Sequence, residues 1–144
     1  MPQIDIFEVE QFKPEYLDAV NRLLRQLCSS PCAMSAESLQ SLIDEPQSHL
    51  LLLAVEGRAV GMCTIGLYSS PTGRKAWIED VVVDEACRGL HLGQVLVERA
   101  VDFARSKGFD TLMLTSRPAR VAANRLYQKM GFERKETNVY RIEL

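Results

Sequence analysis

The chain lacks most features that would commit it early to a class. Its 144 residues contain no apolar run approaching the roughly 20 that cross a bilayer, so no membrane association is expected. The start, MPQIDIFEVE, has no basic stretch followed by an apolar one, so no secretory leader is expected and the cytoplasm is the default location. Positive charge is not in excess, and a net charge of −2 gives no electrostatic case for nucleic acid. There are only two histidines, His49 and His91, in unrelated segments. Cys28-x-x-x-Cys32 therefore lacks the further ligands a zinc site needs, and no metal is expected. The four cysteines, Cys28, Cys32, Cys63 and Cys87, read as scattered buried or semi-buried thiols of a reducing compartment. No motif supplies a histidine partner for a catalytic thiolate. No Lys-Ser/Thr pair opens a helix and GxGxxG is absent, which argues against the P-loop and dinucleotide classes. Linkers, repeats and low-complexity segments are also missing, so residues 1–144 read as one domain, long enough for a proper core.

What is present is organised around one stretch, Trp77 to Gly108. Trp77–Val83, WIEDVVV, is apolar and β-branched apart from Glu79 and Asp80, the pattern of a buried strand. Gln94–Lys107 has helical spacing, with Leu92, Val95, Leu96, Ala100, Phe103 and Ala104 on one apolar stripe. Lys107 suits the last turn and Gly108 the stop. Between strand and helix lies Arg88-Gly-Leu-His-Leu-Gly93. No Ser, Thr, Asp or Asn stands beside Gly93 to cap the helix, and its first carboxylate is Glu98. Free first-turn amides, a positive dipole end and Arg88 make an anion site. The residues alone equally allow an ordinary strand–helix turn whose amides meet water.

In chain order, Ile4–Val9 reads as a first strand and Lys13-Pro14-Glu15 opens a helix carrying Leu17, Val20, Leu24, Leu27 and Cys28 inward. Ser35 caps a short second helix stopped by Pro46. His49–Val55 and Ala59–Tyr68 form a hairpin across Glu56-Gly57-Arg58, and the run Leu50–Leu53 predicts burial on both faces. Ser69–Arg74 reads as an exposed loop. Thr111–Thr115 is a fifth strand, Pro118 starts a last helix ended by Gly131, and the tail Phe132–Leu144 carries one or two closing strands, with Val139, Tyr140 and Ile142 in the last. Hairpins followed by a strand–helix–strand crossover predict an α/β (α+β) mixed sheet with helices packed on its faces. In the last helix, Arg120, Asn124 and Tyr127 recur at i, i+4 and i+7 and share a polar face, with Ala122, Ala123, Leu126 and Met130 on the core side. By spacing alone, that face is simply solvated.

Two of these motifs carry a resemblance. Arg88 to Gly93 resembles the pyrophosphate loop of the GNAT superfamily of acyl-CoA N-acyltransferases, Gln/Arg-x-x-Gly-x-Gly/Ala, with His91 where the middle glycine is usual. If that position needs positive φ, His91 carries some strain. Leu126-Tyr127-x-x-x-Gly131-Phe132 resembles the family's Leu-Tyr-x-x-x-Gly-Phe ending. The element order matches the family layout as well. The resemblance implies a mostly antiparallel sheet in which Trp77–Val83 and Thr111–Thr115 are parallel neighbours that splay apart around the pantetheine arm of coenzyme A. It implies that Val81, Val82, Val83, Arg88, Gly89, Leu90, His91, Leu92, Gly93 and Gln94 line acetyl-CoA, that Tyr127 points at its sulfur, and that Arg120 and Asn124 serve the cofactor. Arg120 holds the position where many members have asparagine, so it suits a phosphate. The family also implies a homodimer through the closing strands.

Glu79 and Asp80 are adjacent on a strand, so only one faces the acceptor unless the strand bulges. The family often has such a bulge, which frees a backbone N–H near Val81 for the thioester oxygen. A salt bridge to Arg74 or Lys75 is the structural alternative for these carboxylates. Glu79 matches the catalytic carboxylate of amino-sugar members with a similar Ile-Glu-Asp run, and Asp80 is held in reserve. The expected activity is direct transfer of an acetyl group from acetyl-CoA to a primary amine, the acceptor a small molecule. A non-catalytic acyl-CoA sensor would keep the 88–93 loop without needing Glu79 or Tyr127.

Overall fold

The computed structural model describes residues 1–144. Five strands form one sheet in sequence order: β1 Ile4–Glu8, β2 Ser48–Val55, β3 Arg58–Ser70, β4 Gly73–Val83 and β5 Thr111–Met113. Pairings β1–β2, β2–β3 and β3–β4 are antiparallel, and β4–β5 is parallel. The helices are α1 Pro14–Leu27, α2 Ala36–Asp44, α3 Leu92–Ser106 and α4 Val121–Lys129. No helix is long and apolar enough to cross a membrane.

The sheet is covered on both faces, as strands with near-continuous apolar runs require. Leu51, Leu53, Cys63, Ile65, Ala76 and Ile78 face α3 and α4, where they meet Leu96, Ala100 and Tyr127. Leu50, Leu52 and Met62 face α1 and α2, against Val20, Leu23 and Leu39. Leu50–Leu53 is thus buried from both sides, each side chain contributing about 1.5–3 kcal/mol of transfer free energy. The β2–β3 turn is tight because Glu56 and Gly57 both take positive φ, 49° and 80°, the sense that matches strand twist. α1 has Pro14 at its start and Glu15 in its first turn, and the Ser35 hydroxyl accepts from the Ser38 amide to cap α2.

Four expectations are corrected. Ser69–Arg74 is not a loop: β3 runs to Ser70 and β4 begins at Gly73, so only Pro71 and Thr72 connect a long hairpin. Cross-strand pairing carries the polar residues there into the ladder, overriding local turn composition. Pro118 does not start α4, which begins at Val121 after a turn through Arg120 (φ −83°, ψ 67°). Cys28 and Cys32 are not scattered thiols but a disulfide that closes the chain after α1. The tail 132–144 forms no strand, and the Phe132 amide to the Tyr127 carbonyl is its only backbone hydrogen bond. Val139, Tyr140 and Ile142 stand exposed. Alternation predicts which side chains a strand would bury, but a strand also needs an edge to pair with, and the sequence does not say which edge accepts it.

Candidate active site

The site is built where β4 parts from β5. Their ladder joins only Lys75–Trp77 to Thr111–Met113, and β4 continues to Val83 with no partner on that side. On its other side β4 bulges: Thr64 opposes Glu79 and Met62 opposes Val82, leaving Cys63 against two residues, Asp80 and Val81. Asp80 absorbs the extra residue in the left-handed region, φ 55°, which Asp tolerates better than most. The bulge resets the alternation. Ile78, Val81 and Val83 pack toward α3, while Val82 joins the core under α1. Glu79 and Asp80 both emerge exposed, and neither takes part in an ion pair with Arg74 or Lys75. Burial of part of its side chain and the neighbouring Asp80 charge both raise the Glu79 pKa above the ordinary glutamate value.

After Val83 the chain is pinned by Asp84, which is 7% exposed. One carboxylate oxygen accepts from the Ala86 amide at 3.0 Å and from Gln26 Nε2 at 3.3 Å. The other accepts from Arg22 Nη1 at 3.2 Å. The Ala86 hydrogen bond, with help from Gln26 and Arg22, holds the Asp84 pKa below its ordinary value. A single 3-10 turn, Glu85–Cys87, leads into the loop before α3. Asp84 was not among the residues singled out by sequence. The signal was present in Asp84-Glu-Ala, a short polar side chain placed to cap the amide two residues on.

His91 caps α3 without a side-chain hydrogen bond, at φ 57° and ψ 28°. The left-handed position usual for glycine is therefore required here, and a histidine occupies it at some cost in strain. None of the amides from Gly89 to Gln94 donates to another protein group. A Cβ added at Gly89 or Gly93 would meet nothing within 4 Å, so the backbone lies open to a ligand. Arg88 is 73% exposed and only 3.9 Å from Glu85, an ion pair of little energetic weight. Uncapped amides, the α3 dipole and an exposed, weakly paired guanidinium fit a diphosphate.

In α4, Tyr127 departs from the expected polar face: it is 7% exposed and its ring packs in the α3 core, edge-on to Phe132 at 5.9 Å. Helical spacing alone could not separate the faces, because the apolar body of a tyrosine buries as readily as leucine. Its hydroxyl has no hydrogen-bond partner, yet it is not among the sealed polar atoms, so it opens onto accessible space. Burial raises the Tyr127 pKa against the pull of Arg120, so the phenol keeps its proton and can donate. Asn124 is engaged elsewhere: its Nδ2 donates to the Arg117 carbonyl at 3.0 Å, bracing the turn before α4. Arg120 is exposed at the start of α4. Cys63, behind the bulge, is driven up to about 12 by burial and remains a thiol. No group of His, Cys, Asp and Glu could hold a metal ion.

The acetyltransferase (GNAT) family model matches residues 11–132. Glucosamine 6-phosphate N-acetyltransferase 1 of Oryza sativa subsp. japonica is 29% identical over 92% of this chain and 86% of its own length. Among solved structures, a Trypanosoma brucei acetyltransferase superposes with a TM-score of 0.78 at 26% identity, over 99% of this chain and all of its own. An aminoglycoside acetyltransferase from an uncultured soil metagenomic sample, in complex with sisomicin, gives 0.85 at 17% identity, over 98% of this chain and 95% of its own, a likeness of fold. With a family match running from before α1 to the end of the Leu126–Phe132 motif, this chain belongs to the GNAT acetyltransferase family.

Proposed function

We propose that the protein transfers an acetyl group from acetyl-CoA to a primary amine on a small molecule, by direct attack in a ternary complex. The observation that carries this reading is the row of partnerless amides from Gly89 to Gln94 that follows the strand end where β4 has parted from β5. Those amides and Arg88 hold the diphosphate, and Arg120 serves a further phosphate. Main-chain groups of Val81 to Val83 run beside the pantetheine arm, and an N–H of the bulge near Val81 donates to the thioester oxygen as charge develops there. Asn124 contributes by holding the turn that carries Arg120 rather than by touching the ligand.

Glu79 orients the amine. An alkyl ammonium near pKa 10.4 and a glutamate near 4.3 differ by about six units, roughly 8 kcal/mol uphill for direct transfer. Capturing the minor neutral amine at pH 7 costs about 4–5 kcal/mol. A raised Glu79 pKa narrows the gap without closing it. Glu79 therefore receives the amine and passes its proton toward water, with Asp80 adding negative charge beside it. Attack forms the C–N bond, the C–S bond breaks, and Tyr127 O–H donates to the departing sulfur. A homodimer through the tail belongs to the same proposal: Tyr140, Ile142 and Leu144 alternate with Arg141 and Glu143 and stand exposed, a strand pattern without a partner. Sedimentation of the intact chain tests it.

The function is tested by thermal shift with CoA, ATP and NAD, then by thiol release with a panel of amines. Saturating CoA at about 100 times its Kd should stabilise the fold by ~2.7 kcal/mol, with no comparable effect of ATP or NAD. Stabilisation by CoA without thiol release from any amine would establish a sensor instead.

A further inference from the structure

Lys75, Trp77 and Glu79 sit at alternate positions of β4, so all three project from the face opposite Ala76 and Ile78, which point into the α3 core. On the neighbouring strand, Gly66 lies directly across from Trp77 and Thr64 across from Glu79. Gly66 has no positive φ to explain a glycine, and a Cβ placed there would meet nothing within 4 Å. The floor at Gly66 is therefore open rather than tightly packed. Tyr68 closes one end: the Trp77 indole N–H donates to its hydroxyl at 3.2 Å, which fixes the indole, and Tyr68 remains 48% exposed. Lys75 belongs to none of the chain's ion pairs.

One face of the β3–β4 pair thus presents, in order, the Glu79 carboxylate, the Trp77 ring beside a glycine with open space above it, and the Lys75 ammonium across from Tyr68. Two residues of strand separate each step, about 6–7 Å, and the span from Lys75 to Glu79 is about 13 Å along the backbone. We propose that the acceptor is a zwitterionic ring amine: its ammonium lies at Glu79, its ring rests over Gly66 against Trp77, and an anionic substituent, phosphate or carboxylate, meets Lys75. The inference rests on the acetyltransfer reading, because it takes the Glu79 end as the reacting end. A polyamine fits this row of residues poorly, since its second charge would face Lys75. Lys75 here determines specificity and takes no part in bond making.

The test compares acceptor pairs that differ only in the anionic group: glucosamine 6-phosphate against glucosamine, and 4-(aminomethyl)benzoate against benzylamine. Thiol release should give a kcat/KM at least about tenfold higher for the anionic member of one pair, corresponding to ~1.4 kcal/mol, and the responding pair separates phosphate from carboxylate. Lys75→Gln should bring that ratio close to one while the neutral amine keeps its rate. Gly66→Val, which places a side chain in open space and spares the fold, should raise the KM of the anionic amine while leaving the CoA thermal shift intact. Equal rates within both pairs, or a ratio unchanged in Lys75→Gln, would overturn the inference and leave acetyltransfer standing. Failure of every amine in the panel to release thiol would overturn both.

Discussion

Replacing Glu79 by glutamine separates the possible roles of this carboxylate. A charge-assisted hydrogen bond from the acceptor ammonium is worth ~1.5–3 kcal/mol, so an orienting Glu79 predicts a kcat/KM lower by about ten- to a hundredfold in Glu79→Gln. An obligate general base would cost more, up to about 10⁴-fold. The pH profile adds a second constraint. Burial and the Asp80 charge raise the Glu79 pKa, so the acid limb that reports its ionisation should lie above the ordinary value of about 4.3 and vanish in Glu79→Gln. The stability sign is opposite to that of a paired carboxylate. A raised folded-state pKa means that the fold binds a proton more tightly than the unfolded chain, so stability falls as pH rises through that range. At neutral pH the substitution should leave Tm unchanged or higher. Steady-state thiol release from pH 4.5 to 9 and parallel thermal melts measure both quantities. A kcat/KM within about twofold of the parent, or a loss of activity that tracks a loss of Tm, would refute an orienting role for Glu79.

Tyr127→Phe keeps the buried ring and removes only the donor, so it should lower kcat by about two- to tenfold with little change in Tm; an unchanged kcat would remove Tyr127 from the reaction. His91 occupies a left-handed position, so His91→Val should be less stable than His91→Gly by about 1–2 kcal/mol in a denaturant melt, and equal midpoints would contradict strain at that residue. Asp84→Asn leaves one oxygen to accept from Ala86 and Gln26 but sets an amide NH2 against Arg22 and removes the charge, and should cost ~1–3 kcal/mol. Because the folded-state pKa of Asp84 is lowered, its contribution is complete above about pH 4 and is lost as pH falls through the folded value. The Tm difference between Asp84→Asn and the parent should therefore shrink in acid.

Much of the architecture was legible because its determinants are local. The run Leu50–Leu53 announces a strand covered from both sides, Glu56-Gly57 is a turn with the required left-handed residues, and the stripe Leu92–Ala104 has one helical face. The missing cap before Gly93 was also visible, because capping is decided by one or two neighbouring side chains. Less legible were features that depend on a distant partner. Whether polar residues 69–74 form a loop or a ladder depends on two strands choosing each other. Tyr127 could be placed on either face of α4 until the core it enters was known. The Cys28–Cys32 disulfide depends on how the chain turns after α1, and spacing leaves that open.

The sequence by itself determined the order and kind of the elements as far as α4, and the uncapped helix that follows the central strand. Periodicity, capping and glycine placement act over a few residues and leave their mark in composition. Tertiary structure alone decided that β4 bulges at Asp80 and parts from β5 after Trp77. It also decided that Glu79 emerges on the same strand face as Trp77, and that the Tyr127 ring enters the α3 core. Each of these arrangements is set by register and packing between segments far apart in the chain, and a slip of one residue would have turned every side chain to the other face.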